Sequence, residues 1–432
     1  MVAACFSLCW AAVKNASFLG LNFSANILSG GNVQSGNNAY AAAGAGAGQV
    51  LAHNKLLKFV GADDNSASKF SVTTENQDAK NVYGNALNAP NVVNAAIAGT
   101  GAAADYFNAA ANDQINPTTA GQAAAMNSVN AMSELGGVQH SLYAANNLFD
   151  NAVMNHLANH DEDKDVWAHY IHDKEDIDGL SLDAMGGANY DSQYNGIVAG
   201  ADLYSKNGVT AGAALTYIDG DIDGNTLGTS VKNEAKYYGA SLYGRVEQGR
   251  TSYLGDISWL RGKNDLTLNG SGKEVTGSVD SNAFSAGVRA EQHFDVAGGS
   301  LTPYVGIRYA HLDYGDYTDS LGIHHDSDAS NLWLAPLGVR YTNTVKTGSW
   351  TLKPVAEVGY LWTFGDRDGN DRVSLNGAAD TFGYEVADDG SFYGRLGLEA
   401  EHGRMTYGIG YQYQKGSSVK SNAFTFALKY KF

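Results

Sequence analysis

Three groups of side chains in this chain have types and spacings that chemistry uses. His156 and His160 stand at i and i+4, which on a helix places two imidazoles on one face, within reach of a common zinc ion. Leu157 follows His156 where a zinc hydrolase keeps its glutamate base, so the metalloprotease pattern fails and the pair reads as solvated or lumen-lining. Asp219, Asp221, Asp223 and Gly224 open like a calcium loop, but Ser230 stands at the closing position where a bidentate Glu is needed. Asp366, Asp368, Asn370 and Asp371 earn the same reading, a solvated loop. There is no nucleophile elbow, P-loop or dinucleotide fingerprint, and Ser, His and Asp are too common here for a triad to be drawn without geometry. The expectation is a protein that is not an enzyme, with no cofactor and no metal.

Composition narrows the class. The 432 residues carry a formal net charge of −17, which argues against a nucleic-acid partner. No apolar run approaches the roughly 18 to 20 residues of a membrane-spanning helix. Yet 52 Gly, 25 Tyr and 15 Phe against five Pro describe aromatic-rich strands, and strands that alternate apolar with polar residues keep mean hydropathy low even in a membrane. Cys5 and Cys9 are the only cysteines, so no disulfide or thiolate metal site is available beyond them. The opening MVAACFSLCWAAV is apolar until Lys14, and two readings stay open: a degenerate export signal lacking its basic start, or a buried segment of a longer chain.

Three zones position these residues. Residues 1–115 are rich in Ala, Asn and Gly, and read either as irregular or as a β-solenoid tail with SFLGLNFSANI, KLLKFVG and KFSVTTEN as short strands. Residues 116–160 become helical: Thr118 or Thr119 caps the start, Gly136 and Gly137 split the stretch, and Leu142, Ala145, Phe149, Val153 and Leu157 recur at helical spacing. Residues 161–432 hold about twelve strands of about ten residues, from VWAHYIHD to AFTFALKYKF.

The faces of those strands decide the environment. In the last one Phe424, Phe426, Leu428, Tyr430 and Phe432 share one face, and Thr425, Ala427, Lys429 and Lys431 the other. The polar faces include Arg289, Glu291, Arg340, Glu357, Arg395 and Glu399, charges that would be costly in the dry core of a soluble sandwich. A lumen filled by water or a helix removes the conflict. Trp167, Trp333, Trp350 and Trp362 sit near strand ends, as interfacial girdles require. The fold class is therefore all-β transmembrane: a twelve-stranded antiparallel outer-membrane barrel with an N-terminal pore helix and a short solenoid-like or irregular segment before it. A porin or receptor passing small solutes is the alternative, but a porin has no need of a long helix before its first strand.

WAHYIHD, YDSQYNGIVAGAD, AGAALTYIDGD, LTPYVGIRYAHLDYGDY, APLGVRYTN and WTLKPVAEVGYLWTFGDRD, in this order with the aromatic last strand, resemble the translocator domain of autotransporters, the type V secretion proteins of Gram-negative outer membranes. The resemblance implies a monomeric barrel in outer-membrane lipid and lipopolysaccharide that secretes or displays its own passenger, in some cases an adhesin, at the cell surface. It implies delivery by periplasmic chaperones and recognition by the barrel-assembly machinery through Phe426, Leu428, Tyr430 and Phe432. The segment before the helices is short for a family whose passengers are usually long β-helices. Asn146, Asn147 and Leu148 resemble the paired asparagine at which some members cut their own backbone inside the pore.

Overall fold

The computed structural model describes residues 13–18, 21–26, 58–61, 70–73, 87–111, 119–160, 164–183, 185–270 and 273–432. The readings at Cys5, Cys9 and Thr118 lie outside them. Twelve long strands form one antiparallel wall: β1 (Asp165–Leu180), β2 (Ala188–Lys206), β3 (Val209–Thr226), β4 (Thr229–Gln248), β5 (Thr251–Gly270), β6 (Lys273–Gln292), β7 (Gly299–Tyr314), β8 (Ser330–Thr342), β9 (Trp350–Gly365), β10 (Gly390–His402), β11 (Met405–Lys415) and β12 (Val419–Lys431). Each pairs with its neighbour in sequence, and β12 returns to β1 with Phe426 opposite Tyr170 and Leu428 opposite Ala168, so the sheet has no open edge. The turn between β2 and β3 shows the local logic. Asn207 and Gly208 take φ of 54° and 70°, the left-handed pair that matches hairpin twist.

Strict alternation puts apolar side chains outside. On β3 the outward row runs Val209, Leu215, Tyr217, then Asp219, Asp221, Asp223; on β4 it runs Val246, Leu242, Tyr238, then Lys236, Glu234, Lys232; on β5, Tyr253, Ile257, Trp259, then Arg261, Lys263, Asp265. The stretch from Val209 to Tyr217 matches the roughly 9 to 11 residues of a membrane-crossing strand. Aromatic rings mark where lipid ends. Trp333, Trp350 and Trp362 also face outward.

The wall continues past the apolar band. Strands β4, β5 and β6 have 20 residues each, against 13, 11 and 13 in β10, β11 and β12. Two sequence expectations are corrected by this. The strands are not all of about ten residues, and Asp219, Asp221 and Asp223 occupy a regular strand rather than a loop, their composition changing because the solvent changes. Asp371 is also no solvated-loop residue: it is buried on Asp368–Leu375, which forms a four-stranded sheet with Tyr317–Thr318, His324–Ser327 and Ala378–Glu385 in the long loops. Trp167 is corrected too. It points inward and is buried, and the paired Gly200 makes room for it, since a Cβ there would lie 2.7 Å from the indole ring.

Before the wall come the helices α1 (Pro90–Ala98), α2 (Ala102–Ala111), α3 (Thr119–Asn130), α4 (Met132–Leu135) and α5 (Val138–Ala158); α3 to α5 pack on the wall strands, whereas α1 packs on the loop sheet. The break before α5 falls at Gly136 and Gly137, the latter at φ 56°. α1 and α2 begin upstream of the helical stretch read from the sequence, with Pro90 in the first turn and Gly99 at the end as their punctuation. Val92, Phe107, Met126, Met132, Leu142 and Phe149 belong to one buried cluster with wall residues such as Tyr237, Leu260 and Leu266. Within residues 1–115 the described pairings are antiparallel hairpins, Val13–Phe18 with Leu21–Asn26 and Lys58–Gly61 with Phe70–Thr73.

Candidate functional site

α5 occupies the pore. Its 21 residues, at about 1.5 Å of rise each, span about the thickness of a bilayer's hydrocarbon core. Leu142, Ala145, Phe149, Val153 and Leu157 are fully buried along one side, and the helix packs most closely on β5 and its neighbours. The opposite side bears Asn147, Asn151 and Asn155, which line a cavity of about 110 Å³ with Arg289, Glu357, Arg395 and Gln412. The helix is therefore off-centre, greasy against the long wall and polar toward the short one.

Polar anchors tie it to the wall at every level. Near the top Ser141 meets the Tyr237 hydroxyl at 2.6 Å, and His140 joins the Val386 carbonyl at 2.8 Å and Glu175 at 3.2 Å. Midway, Asp150 forms an ion pair with Arg308 at 2.8 Å and accepts from Ser285 at 2.9 Å, while Arg308 donates to Asp256 at 3.0 Å. Below, Arg395 donates to Asn155, and His156 reaches Asp202 at 3.0 Å while stacking on Trp167 with ring centroids 4.4 Å apart. At the helix end Arg245 donates to the carbonyls of Leu157 and His160 at 3.0 and 2.9 Å, and Lys429 to that of Asn159 at 3.2 Å. Two cations thus face the negative pole of the helix, where the last carbonyls lack partners of their own.

The lumen charges form a belt beside the helix. Glu291 forms an ion pair with Arg289 at 2.9 Å and accepts from Arg340 at 2.8 Å; Glu357 accepts from the Tyr304 hydroxyl and lies 3.8 Å from Arg395; Glu399 accepts from Lys429 at 3.1 Å. The Arg289 guanidinium sits 3.5 Å from the centroid of the Tyr304 ring. Phe426, Leu428, Tyr430 and Phe432 all face outward on β12. The paired asparagines diverge. Asn147 faces the cavity, whereas Asn146 is buried and its side-chain nitrogen donates to Asp150 at 2.9 Å.

Among the described residues no helix is long and apolar enough to cross a membrane. The family described as the autotransporter beta-domain matches residues 166–414, more than half of the chain. The chain belongs to the autotransporter β-domain family. It is an outer-membrane translocator of type V secretion, and its barrel is a monomeric transport unit rather than a catalyst. Solved structures share its fold: the translocator domain of the autotransporter NalP from Neisseria meningitidis, with 18% identity and a TM-score of 0.52, covering 68% of this chain and 97% of that one. The transport unit of the autotransporter AIDA-I from Escherichia coli is similar at 16% identity and a TM-score of 0.52, covering 68% of this chain and 98% of that one. A comparison with curated sequences finds no match.

Above the lipid band, the translocator holds a buried ionisable cluster that the sequence reading missed. Glu134 on α4, Asp371, Asp319 and His325 are all buried; His325 lies 3.5 Å from Asp319 and 3.9 Å from Asp371. Burial, and Asp371 beside it, push the Glu134 carboxyl well above its usual range. Burial alone would lower His325, but Asp319 and Asp371 outweigh it and raise the imidazole to about 9. Both groups have folded values above their unfolded ones. Their stabilisation is thus complete at low pH, Glu134's below about 4.5 and His325's below about 6.5, and is lost as pH rises through the folded values. Between about pH 6.5 and 9, the protection of α3 and α4 from hydrogen exchange, taken relative to the intrinsic rate at each pH, is expected to fall, and Glu134→Gln together with His325→Gln should flatten that dependence. A pH-independent protection factor in the native protein would contradict the linkage.

The missed residues, Asp150, Asp202, Asp256 and Arg308 among them, share one difficulty. Each becomes recognisable only when strands and helix distant in sequence are brought together, and a lone inward Asp or Arg on a strand carries no mark of its partner.

Proposed function

We propose that the filled pore is the exit route of the translocator's own passenger, and that α1 to α5 are the trailing part of the exported segment left in place after passage. The supporting observation is the path of the described chain: α5 leads into β1 at Asp165, and at the other end of the string of helices α1 meets the loop sheet, where Asp380 accepts from the Val92 main chain at 2.8 Å. On this reading residues 1–115 belong to the passenger, 116–160 are the linker and pore helix, and 161–432 the barrel. The displayed segment would act at the cell surface as an adhesin or be released. Periplasmic chaperones would hold the unfolded barrel, and the barrel-assembly machinery would read the outward row ending at Phe432. Planar-bilayer conductance is expected to rise when residues 1–160 are deleted, since Arg289, Glu357 and Arg395 would then line an open, hydrated passage. Unchanged conductance would favour a porin whose channel lies elsewhere in the wall.

A second reading, self-cleavage, is favoured by the contact between Asn146 and Asp150. A carboxylate 2.9 Å from the amide nitrogen is in reach to take its proton as that nitrogen attacks the main-chain carbonyl carbon of Asn146. Closure to a succinimide breaks the Asn146–Asn147 peptide bond and leaves the amine on Asn147. Intact mass of the membrane-extracted protein is expected to show a fragment starting at Asn147, absent in Asn146→Ala. A full-length chain alone would remove this reading.

A further inference from the structure

We propose that His156, His160 and Asp202 form a divalent-cation site of zinc type that fastens the lower end of the pore helix to the barrel wall. One ligand atom from each lies within 4.8 Å of the others, all close to the required spacing. A tetrahedral zinc ion with bonds near 2.0 to 2.1 Å separates its ligand atoms by about 3.3 Å. Here His156 Nε2 stands 3.0 Å from one oxygen of Asp202, and His160 Nδ1 stands 3.4 Å from the other.

The arrangement around His160 points to a positive charge between these groups. Its Nε2 lies 3.4 Å from the Ser205 hydroxyl, which can accept the ring N–H, and in that tautomer Nδ1 carries a lone pair. That nitrogen has no hydrogen-bond partner, yet carboxylate oxygens of Asp202 and Asp165 lie 3.4 and 3.8 Å away. A lone pair turned toward two carboxylates in a buried site is repulsive, and a cation at their centre converts all three into ligands. The supports expected around a metal site are present as well: the Tyr243 hydroxyl and the main-chain N–H of Asp165 hold the Asp202 carboxylate at 2.9 and 3.0 Å, and Trp167 fixes the His156 ring by stacking. A cavity of about 550 Å³ beside His160, lined by Ser205, Asn207 and Glu247 at the lower rim, supplies the way in. Imidazole with carboxylate suits zinc rather than calcium or magnesium.

His156 comes from α5, His160 from just beyond its end and Asp202 from β2, so occupancy would fasten the end of the helix to the end of β2. The test uses the full chain without a polyhistidine tag, refolded in detergent, stripped with chelator and then exposed to zinc chloride. One equivalent of zinc should survive desalting, cobalt should give the intense visible bands of a tetrahedral site, and zinc should raise the temperature at which heat-modifiable migration is lost. His160→Ala and His156→Gln, each checked for heat-modifiable migration, should weaken binding at least tenfold and abolish the zinc-dependent shift. Absence of retained zinc, or retention undiminished in both variants, would overturn the site. A thermal midpoint that follows pH but ignores zinc would show that a proton sits between His160 and the carboxylates instead.

Discussion

Removing Phe432 is expected to leave a stable barrel in detergent and a strongly depleted outer membrane in cells. The ring is 60% exposed on the outer surface, so its loss forfeits only lipid contact. At most that is about 1.5 to 3 kcal/mol. The Phe432 main chain donates to Lys164 at 3.1 Å, but the seam below it keeps Tyr430 opposite Val166 and Leu428 opposite Ala168, so closure survives. On the proposed reading, assembly depends on a different property, the outward row Phe426, Leu428, Tyr430 and Phe432 presented before closure. Pulse-labelled cells should therefore show a sharp fall in inserted protein, while the same variant refolds in vitro and migrates as wild type does before boiling. Phe432→Tyr keeps the ring and should insert normally. Wild-type insertion after the deletion would leave Phe432 as an ordinary interfacial aromatic.

Arg308→Met should be the most damaging single change inside the pore. Arg308 is the cation shared by Asp150 of the helix and Asp256 of the wall, all three buried. Removing one partner of a buried ionic group leaves uncompensated charge and costs about 3 to 5 kcal/mol. Here the load falls on the contact between helix and wall. The helix should loosen, seen as raised conductance and faster hydrogen exchange across Leu148 to Asn155, with strand exchange changing less. Replacing all three, Arg308→Met with Asp150→Asn and Asp256→Leu, should recover much of the loss. Native-like conductance and exchange in Arg308→Met alone would show that the ion pair does not hold the helix.

The barrel was readable because a strand's period of two is strict: Phe424 to Phe432 cannot be moved to the inner face without moving Lys429 out. The same alternation assigned Arg289, Glu291, Arg340, Glu357, Arg395 and Glu399 to the inside, where the structure has them, but their pairing required the order of strands around the wall. Trp167 escapes sequence reading because tryptophan suits an interface and a packed lumen equally, and its partners Gly200 and Tyr243 lie far off in sequence. Asp219 to Asp223 read as a loop because polarity on the outer row reports solvent, not secondary structure, wherever a strand outlives the bilayer. The helices from Pro90 were obscured by Asn and Gly, poor helix formers that burial among Val92, Phe107 and the loop sheet renders acceptable.

The ladder of anchors along α5 has a mechanical consequence. A tug on the surface end of the chain, such as flow would exert on a cell held by its displayed segment, acts along the helix axis. Ser141, Asp150, Asn155 and His156 each grip a different stave of the wall, β4, β7, β10 and β2 in turn. They are loaded side by side in shear, so extraction must break them together rather than peel them one after another. Rupture force should accordingly greatly exceed that of any one contact, making the plug a load-bearing tether as well as a stopper.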